Sequence, residues 1–249
     1  IIASTYDIRQ LSPLDTIIKN YSYIWKLHFS DLYNEHRKLA VVKMKNKRKY
    51  RAVITADLID SSQKHADEWL PKLRNTLTHI GQNPADWDIY RGDSFQFICA
   101  VPDALKWCLF IKCSIREIEG LDVRMAVGIG EVNLPIANIT EASGLAFMLS
   151  GHTFDHLKQN IAFSTGKDKI DEQLNLLLQL ALISMDNWSV TEAQTLSSAF
   201  FDLNITQMAL ASKLQKSQST ISATLKRSGY DAIKKLEAYY RKNIWSWIS

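Results

Sequence analysis

Two aspartates stand where the sequence changes from apolar to polar, and both are placed to bind a cation. Asp57 follows the apolar run that begins at Ala52, and Asp93 follows Gly92 in a short polar segment between two apolar ones. Two carboxylates held close together repel each other unless a cation lies between them, and Mg²⁺ or Mn²⁺ bridging to a triphosphate suits oxygen ligands. Gly92 permits a tight turn and lets a phosphate approach the backbone. The pattern predicts a metal–nucleotide site.

A structural role explains each aspartate better when it is taken alone. Asp57 can cap a following helix, because Asp is common at strand-to-helix turns for that reason. Asp93 beside Gly92 fits ordinary hairpin-turn chemistry. Both interpretations stay open, and the ligand hypothesis depends on the two side chains meeting.

The elements around the aspartates predict that they do meet. Apolar alternation and helical periodicity give the order βαββαβ followed by αβ. The first six elements are those of a ferredoxin-like sandwich, in which four antiparallel strands are covered on one face by two helices and the hairpin strand lies beside the first strand. The predicted elements are strand Arg51–Ala56, helix Gln63–Ile80, strands Asp88–Tyr90 and Phe95–Val101, helix Ala104–Glu119, strand Val123–Ile129, helix Gly144–Gln159 and strand Ile161–Phe163.

A second set of functional residues lies in two short helices near the C-terminus, predicted at 207–214 and 218–227. A polar turn joins them, and Ser217 is placed to cap the second helix. Short polar side chains at the start of that helix suit base edges in the major groove, and flanking cations suit phosphates. The predicted DNA-binding residues are Lys213, Ser217, Gln218, Ser219, Ser222, Lys226 and Arg227. The alternative is a helical hairpin packed for structural reasons alone.

Charge is unevenly distributed along the chain. Residues 204–249 hold eight basic and two acidic residues, a net charge of +6, whereas residues 167–203 have a net charge of −4. A compact basic segment favours a nucleic-acid partner over a solvated helix face once the helical pattern is added. We therefore expect double-stranded DNA as a partner.

Composition narrows the class of protein further. The 249 residues are 46% hydrophobic and 22% charged, which excludes a wholly disordered chain. Three cysteines without Cys-x-x-Cys spacing argue against a disulfide framework and a cysteine zinc site. The longest apolar stretch, Leu174–Met185, is too short to span a bilayer. We expect a cytoplasmic protein with no membrane partner.

The aspartate segments resemble a known enzyme class. Ala56-Asp57-Leu58-Ile59 followed by Gly92-Asp93 is similar to the paired metal-binding motifs of class III nucleotide cyclases, whose fold the GGDEF cyclases and the CRISPR polymerase palm share. The segment from Arg124 to Val132 resembles the cyclase strand after the second helix. The resemblance implies that Asp57 and Asp93 bind Mg²⁺ or Mn²⁺ with help from the Leu58 carbonyl. Cyclases of this class carry an Asn and an Arg on the next helix, and residues 144–151 contain neither.

A closer resemblance covers three segments together. Residues 53–62, 91–95 and 143–151 are similar to the SatD family, bacterial proteins that often combine this domain with a helix-turn-helix. Polar residues and a glycine beside the two carboxylates are the candidate nucleotide ligands: Asp60, Ser61, Arg91, Gly92 and Ser94.

The predicted organisation is α+β, with a palm domain followed by an all-α helix-turn-helix domain. Residues 1–43 form an N-terminal extension of uncertain structure, either upstream of a start at Met44 or an added helical arm. The palm spans residues 44–166. A helical linker with a capping box at Ser189 and Glu192 spans residues 167–203. The helix-turn-helix domain spans residues 204–249. The last helix, Asp231–Ile244, either completes the core or pairs two subunits, and because operators are read by dimers we expect a homodimer.

These features support three functions. The first is a DNA-binding transcriptional regulator whose palm senses a metal–nucleotide or another phosphorylated ligand. The second is a nucleotide cyclase or oligonucleotide synthase of the palm type, and the third is a scaffold. The missing Asn and Arg favour the first over the second, and the aspartate pair argues against the third.

Overall fold

The computed structural model describes residues 49–90 and 92–248, and the described residues belong to one compact unit. The predicted N-terminal extension, the start at Met44 and the candidate ligand Arg91 lie outside the described residues. The α+β class predicted from the sequence is confirmed.

Five strands form one mixed sheet in the order β2-β3-β1-β4-β5. The first four are antiparallel to their neighbours, whereas β5 runs parallel to β4. The central strand β1 is buried on both faces from Ala52 to Ala56, which is why its sequence is a nearly continuous apolar run. The strands are β1 Tyr50–Ile59, β2 Trp87–Tyr90, β3 Ser94–Cys99, β4 Asp122–Glu131 and β5 Ile161–Ser164.

The predicted helices are present; those at 207–214 and 218–227 have the predicted bounds, and the ends of the others are shifted. The first begins at Ala66, because His65 and Glu68 form a capping box there and residues Ser61–Gln63 make a separate 3-10 turn. The predicted capping box at Ser189 and Glu192 is confirmed. The helices are α1 Ala66–Thr78, α2 Ala104–Arg116, α3 Leu145–Asp155, α4 Asp168–Met185, α5 Val190–Phe201, α6 Gln207–Leu214, α7 Gln218–Arg227 and α8 Tyr230–Ile248.

Helices cover both faces of the sheet. Ile54 of β1 lies in the main core, with Leu73 of α1 and Leu109 of α2. Its neighbour Thr55 points the other way, and its hydroxyl donates to Ser150 of α3 over 3.1 Å. Since successive strand residues alternate between faces, α3 lies opposite α1 and α2.

The contact between α3 and the sheet is unusually close at β4. A Cβ atom added to Gly128 would lie 2.1 Å from the Ala146 carbonyl oxygen and 2.4 Å from the Ser150 amide nitrogen. Only a residue without a side chain allows this approach, so Gly128 holds α3 against the sheet. The glycine serves helix packing, whatever ligand the neighbouring edge binds.

The C-terminal helices pack into the main hydrophobic core of the five-stranded sheet. We call the sheet and its helices α1 to α3 the sheet domain. Tyr240 of α8 is fully buried, and its hydroxyl donates to the Val101 carbonyl over 2.6 Å. Its ring also meets Phe163 of β5 edge-on, with 5.4 Å between centroids. Of the two roles left open for the last helix, core packing is therefore observed. The predicted domain boundaries at 166/167 and 203/204 stay predictions, and one buried cluster crosses both.

Candidate functional site

Asp57 is bound by an arginine directly across the sheet. The register pairs Asp57 of β1 with Arg124 of β4 on one side and with Ser94 of β3 on the other. Arg124 donates from Nε to Asp57 Oδ1 over 2.6 Å and from Nη2 to Oδ2 over 2.7 Å. This bidentate pair is the strong form of an arginine–carboxylate contact. Both carboxylate oxygens of Asp57, a predicted metal ligand, thus accept hydrogen bonds from the Arg124 guanidinium in this structure.

Asp93 lies at the same end of the sheet. It precedes Ser94, the cross-strand neighbour of Asp57. The hydrogen bonds that Arg124 donates to Asp57 raise the pKa of Arg124, partial burial opposes the shift, and the charges of Asp57 and Asp93 add to it. The Arg124 guanidinium therefore interacts electrostatically with both carboxylates. The structure brings the two aspartates to the same end of the sheet, with the Arg124 guanidinium beside them.

The loop after β1 contacts the hairpin through its polar side chains. The Ser61 hydroxyl donates to Asp93 Oδ2. Asp60, at a positive φ of 63°, accepts from Gln63 Nε2 over 3.0 Å. Gly92 also has a positive φ, of 84°, and a Cβ there would meet no atom within 4 Å. Of the predicted nucleotide ligands among the described residues, Asp60, Ser61 and Gly92 thus lie on two loops joined by the contact between Ser61 and Asp93, and Ser94 begins β3.

An aromatic ring from α3 also lies at this end of the sheet. The guanidinium carbon of Arg124 lies 5.2 Å from the centroid of the Phe154 ring, within the range of a cation–π contact. Sequence reasoning gave Arg124 no role at the site. Its signal, a charged residue within an alternating strand, points to a partner only when the β1–β4 register is known.

The donor set suits a metal held jointly with a phosphate better than a metal alone. Among residues 49–90 and 92–248, no group of three or more His, Cys, Asp or Glu side chains is placed to hold a metal ion. Asp57 and Asp93 offer two carboxylates, whereas the side chain of Leu58, the third predicted ligand, is buried. Mg²⁺ commonly binds through one or two carboxylates while phosphates and waters supply the other ligands. The residues present fit that pattern.

A second candidate surface is formed by α6 and α7. The Ser217 hydroxyl accepts from the Thr220 amide over 3.1 Å, so it caps α7 as predicted. Gln215 between the helices has a left-handed φ of 53°. The Gln215 amide donates to Ser212 and the Lys216 amide to Ala211, over 3.2 and 3.0 Å. These two bonds form a Schellman motif in which Gln215 takes the place of the usual glycine. Holding a non-glycine residue in the left-handed conformation costs on the order of 1 kcal/mol.

One face of α7 is buried and the other is free of apolar side chains larger than alanine. Ile221, Thr224 and Leu225 face inward, with none more than 5% exposed. The predicted DNA-binding residues on and beside α7 face outward. Ser219 Oγ lies 2.9 Å from Ser217 Oγ, which orders the first turn. The exposed members of the predicted set are Lys213, Ser217, Gln218, Ser219, Ser222, Lys226 and Arg227.

Two of the predicted phosphate contacts also touch the body of the protein. Arg227 Nε donates to Glu192 Oε1 over 2.8 Å, although 63% of the Arg227 side chain is exposed. Burial raises the pKa of Glu192, but hydrogen bonds from Ser189 and Arg227 outweigh it and leave the pKa below its usual value. Lys213 Nζ lies 5.9 Å from the Phe201 ring centroid. Both cations are thus oriented by α5.

No family model matches this chain, and no curated protein matches it. Within the part of the chain that the structure describes, no helix has both the length and the apolar character needed to cross a membrane.

Proposed function

We propose that this protein is a DNA-binding transcriptional regulator whose sheet domain binds a metal–nucleotide or a related phosphorylated ligand. The proposal includes a ferredoxin-like palm related to the SatD family and to the class III cyclases. Its support is the strand order β2-β3-β1-β4, all antiparallel, with α1 and α2 on one face. In a split βαβ arrangement the hairpin strand inserts in this way beside the first strand.

The observation that carries the DNA-binding part is the outward face of α7. Gln218, Ser219 and Ser222 are exposed on its first two turns, while its large apolar residues Ile221 and Leu225 are buried. Side chains of this kind at the start of the second of two short helices reach base edges in the major groove. Lys213 and Lys226 flank them and supply phosphate contacts.

We expect the double variant Gln218→Ala and Ser222→Ala to bind specific DNA about tenfold or more weakly, since a good side-chain contact to a base edge discriminates by about 1–3 kcal/mol. The measurement is fluorescence anisotropy on a duplex that the unmodified protein selects from a random pool. Gln82→Ala, at an exposed glutamine before β2, is the control and should bind normally. Equal affinity of the double variant and the control would remove the recognition-helix assignment.

The ligand-binding part of the proposal rests on Arg124, which is paired with Asp57 and also interacts with the charge of Asp93. Arg124 can exchange its bonds to Asp57 for bonds to a phosphate, for which a planar guanidinium is well suited. That exchange frees the carboxylate oxygens of Asp57. Mg²⁺ or Mn²⁺ held by Asp57 and Asp93 would then neutralise the phosphate charge.

We expect Arg124→Ala and Asp93→Ala each to weaken binding of magnesium ATP about tenfold, because a hydrogen bond to a charged group contributes about 1.5–3 kcal/mol. Isothermal titration calorimetry measures this, with Arg74→Ala on the exposed face of α1 as the control. Unchanged affinity in both site variants would exclude this edge as the nucleotide site.

A cyclase or oligonucleotide synthase is the second candidate function. It is supported by two carboxylates, Asp57 and Asp93, at one end of the sheet, and by Arg124, which contacts both Asp57 of β1 and the Phe154 ring of α3. Incubation with nucleoside triphosphates and Mn²⁺ distinguishes it from a sensor. A cyclic or linked product that Asp93→Ala abolishes would establish the enzyme. Binding without a product would leave the regulator.

A further inference from the structure

Two histidines that the proposed function does not use lie side by side at the C-terminal end of α3. His152 and His156 are four residues apart, and both are exposed. Residues with this spacing are neighbours on one side of a helix. Their imidazole rings lie 4.6 Å apart between centroids, with an angle of 31° between the ring planes. Because imidazole nitrogens bind divalent transition metals, two neighbouring rings can chelate one ion.

A hydrogen bond leaves His156 with one ring nitrogen available to a metal. The Nδ1 atom of His156 lies 2.8 Å from the His152 carbonyl oxygen. A carbonyl oxygen only accepts hydrogen bonds, so Nδ1 carries the proton, and Nε2 of the neutral ring keeps its lone pair. Metal-binding histidines commonly donate their second ring nitrogen to a backbone carbonyl in this way, which fixes the tautomer and the orientation of the ring. The His156 ring is therefore oriented as a metal ligand would be.

The separation of the two rings fits an ion that takes its ligands at right angles. A ring centroid lies about 3.2 Å from an ion bound to that ring, since the metal–nitrogen bond is about 2.0–2.1 Å long. Two rings on one ion are then about 4.5 Å apart at a ligand angle of 90° and about 5.2 Å apart at the tetrahedral angle. The observed separation of 4.6 Å matches the right angle. Cu²⁺ and Ni²⁺ take nitrogen and oxygen ligands at right angles, whereas Zn²⁺ prefers a tetrahedron.

We propose that His152 and His156 form a two-histidine site for Cu²⁺ or Ni²⁺, separate from the candidate Mg²⁺ site at the end of the sheet. Within the part of the chain that the structure describes, no third His, Cys, Asp or Glu side chain is placed to join them. Water or an external ligand therefore fills the remaining positions. The exposed charges nearby are mixed, with Asp155 three residues after His152 and Lys158 two residues after His156. The affinity therefore comes from the two imidazoles and not from the surrounding charge.

An ion bound to both histidines would also stabilise the last turn of α3. That turn lies between the two histidines, ends at Asp155 and carries Phe154, whose ring lies beside Arg124. Unwinding of the turn would separate the two ligands, so binding favours the folded turn. The evidence for this site does not rest on the proposed function, although the stabilised turn lies next to the candidate nucleotide site.

Isothermal titration calorimetry of the full chain with Ni²⁺, without any histidine tag, tests the site. His152→Ala and His156→Asn should each raise the dissociation constant for Ni²⁺ at least about tenfold, because the second imidazole of a chelating pair binds intramolecularly. His79→Ala removes a different exposed histidine and is the matched control, which should bind Ni²⁺ normally. Excess Mg²⁺ should not displace Ni²⁺, because Mg²⁺ prefers oxygen ligands. Circular dichroism verifies that each variant is folded.

Nuclear magnetic resonance locates the bound ion. Paramagnetic Ni²⁺, added below one equivalent, should broaden the ring signals of His152 and His156 and leave those of His79 sharp. Unchanged Ni²⁺ affinity in both site variants, or broadening that spares the two rings, would overturn the proposal. Ni²⁺ binding that persists in a protein without affinity for magnesium ATP would contradict the nucleotide site alone.

Discussion

Replacing Gly128 with alanine is expected to lower the free energy of unfolding by about 3 kcal/mol or more, the upper range for overpacking a core. The added Cβ would lie 2.1 Å from the Ala146 carbonyl oxygen and 2.4 Å from the Ser150 amide nitrogen. Both are backbone atoms of α3, so no side-chain rotation relieves the clash and the helix must move. For a chain of this size the loss corresponds to a fall of about 6–12 °C in the melting temperature.

The displacement should also reach the candidate nucleotide edge. Ser150 bonds to Thr55, two residues before Asp57, and Phe154 of the same helix lies over Arg124. We therefore expect Gly128→Ala to weaken magnesium ATP binding even at temperatures where the variant is folded. Calorimetry and a thermal melt measure the two effects on the same sample.

Gly151→Ala is the matched control for this variant. Gly151 lies in α3 itself, and a Cβ there would meet no atom within 4 Å. Alanine favours the helix over glycine by about 1 kcal/mol, so the control should be unchanged or slightly more stable. If Gly128→Ala were as stable as Gly151→Ala, α3 would not lie against β4 as described.

The second large effect is expected at Lys112 of α2. Its side chain is fully buried, and its Nζ lies 2.8 Å from Asp122 and 2.7 Å from Asp186. Lys112→Met would leave those carboxylates without this cation, and removing one partner of a buried ion pair costs about 3–5 kcal/mol. Arg116 still pairs with Asp122, so we expect the lower part of that range.

Denaturant unfolding measures the cost, and two comparisons identify its cause. Lys235→Met, on the exposed face of α8, should change the free energy of unfolding by at most about 0.5 kcal/mol. Adding Asp186→Asn to Lys112→Met should recover part of the loss, because the uncompensated charge is then removed. A strictly additive double variant would show that the loss comes from side-chain packing instead.

The Lys112 cluster also links the sheet domain to the C-terminal helices. Asp122 starts β4, Asp186 follows α4, and Arg116 donates to the Trp188 carbonyl. Its loss should therefore loosen the end of α4.

Local sequence patterns were sufficient for the elements and their order. Apolar runs, alternation and helical periodicity predicted all five strands and the helices of the described region, since burial on one face imposes a period of 2 or 3.6 and burial on both faces gives a continuous apolar run, as in β1. Ends were predicted less well. The strand expected to reach Val101 ends at Cys99, because a 3-10 turn containing Pro102 follows it.

The candidate site was predicted only in part. The two aspartates were found from residue type and position, and the structure places both at one sheet edge. Arg124 was missed because its pairing with Asp57 joins residues far apart in the sequence. In the same way, Arg227 was predicted to contact phosphate, and its bond to Glu192 depends on how α5 packs against α7.

By itself, the sequence determined the α+β class, the order of elements, the caps at Ser189 and Ser217, and the acidic and basic segments, because each depends on neighbours within a few turns of the chain. Only the tertiary structure decided which sheet face α3 covers, why Gly128 must be glycine, and that α4 keeps an outer apolar face. Those features arise from contacts between segments distant in sequence, whose register and packing no local periodicity specifies.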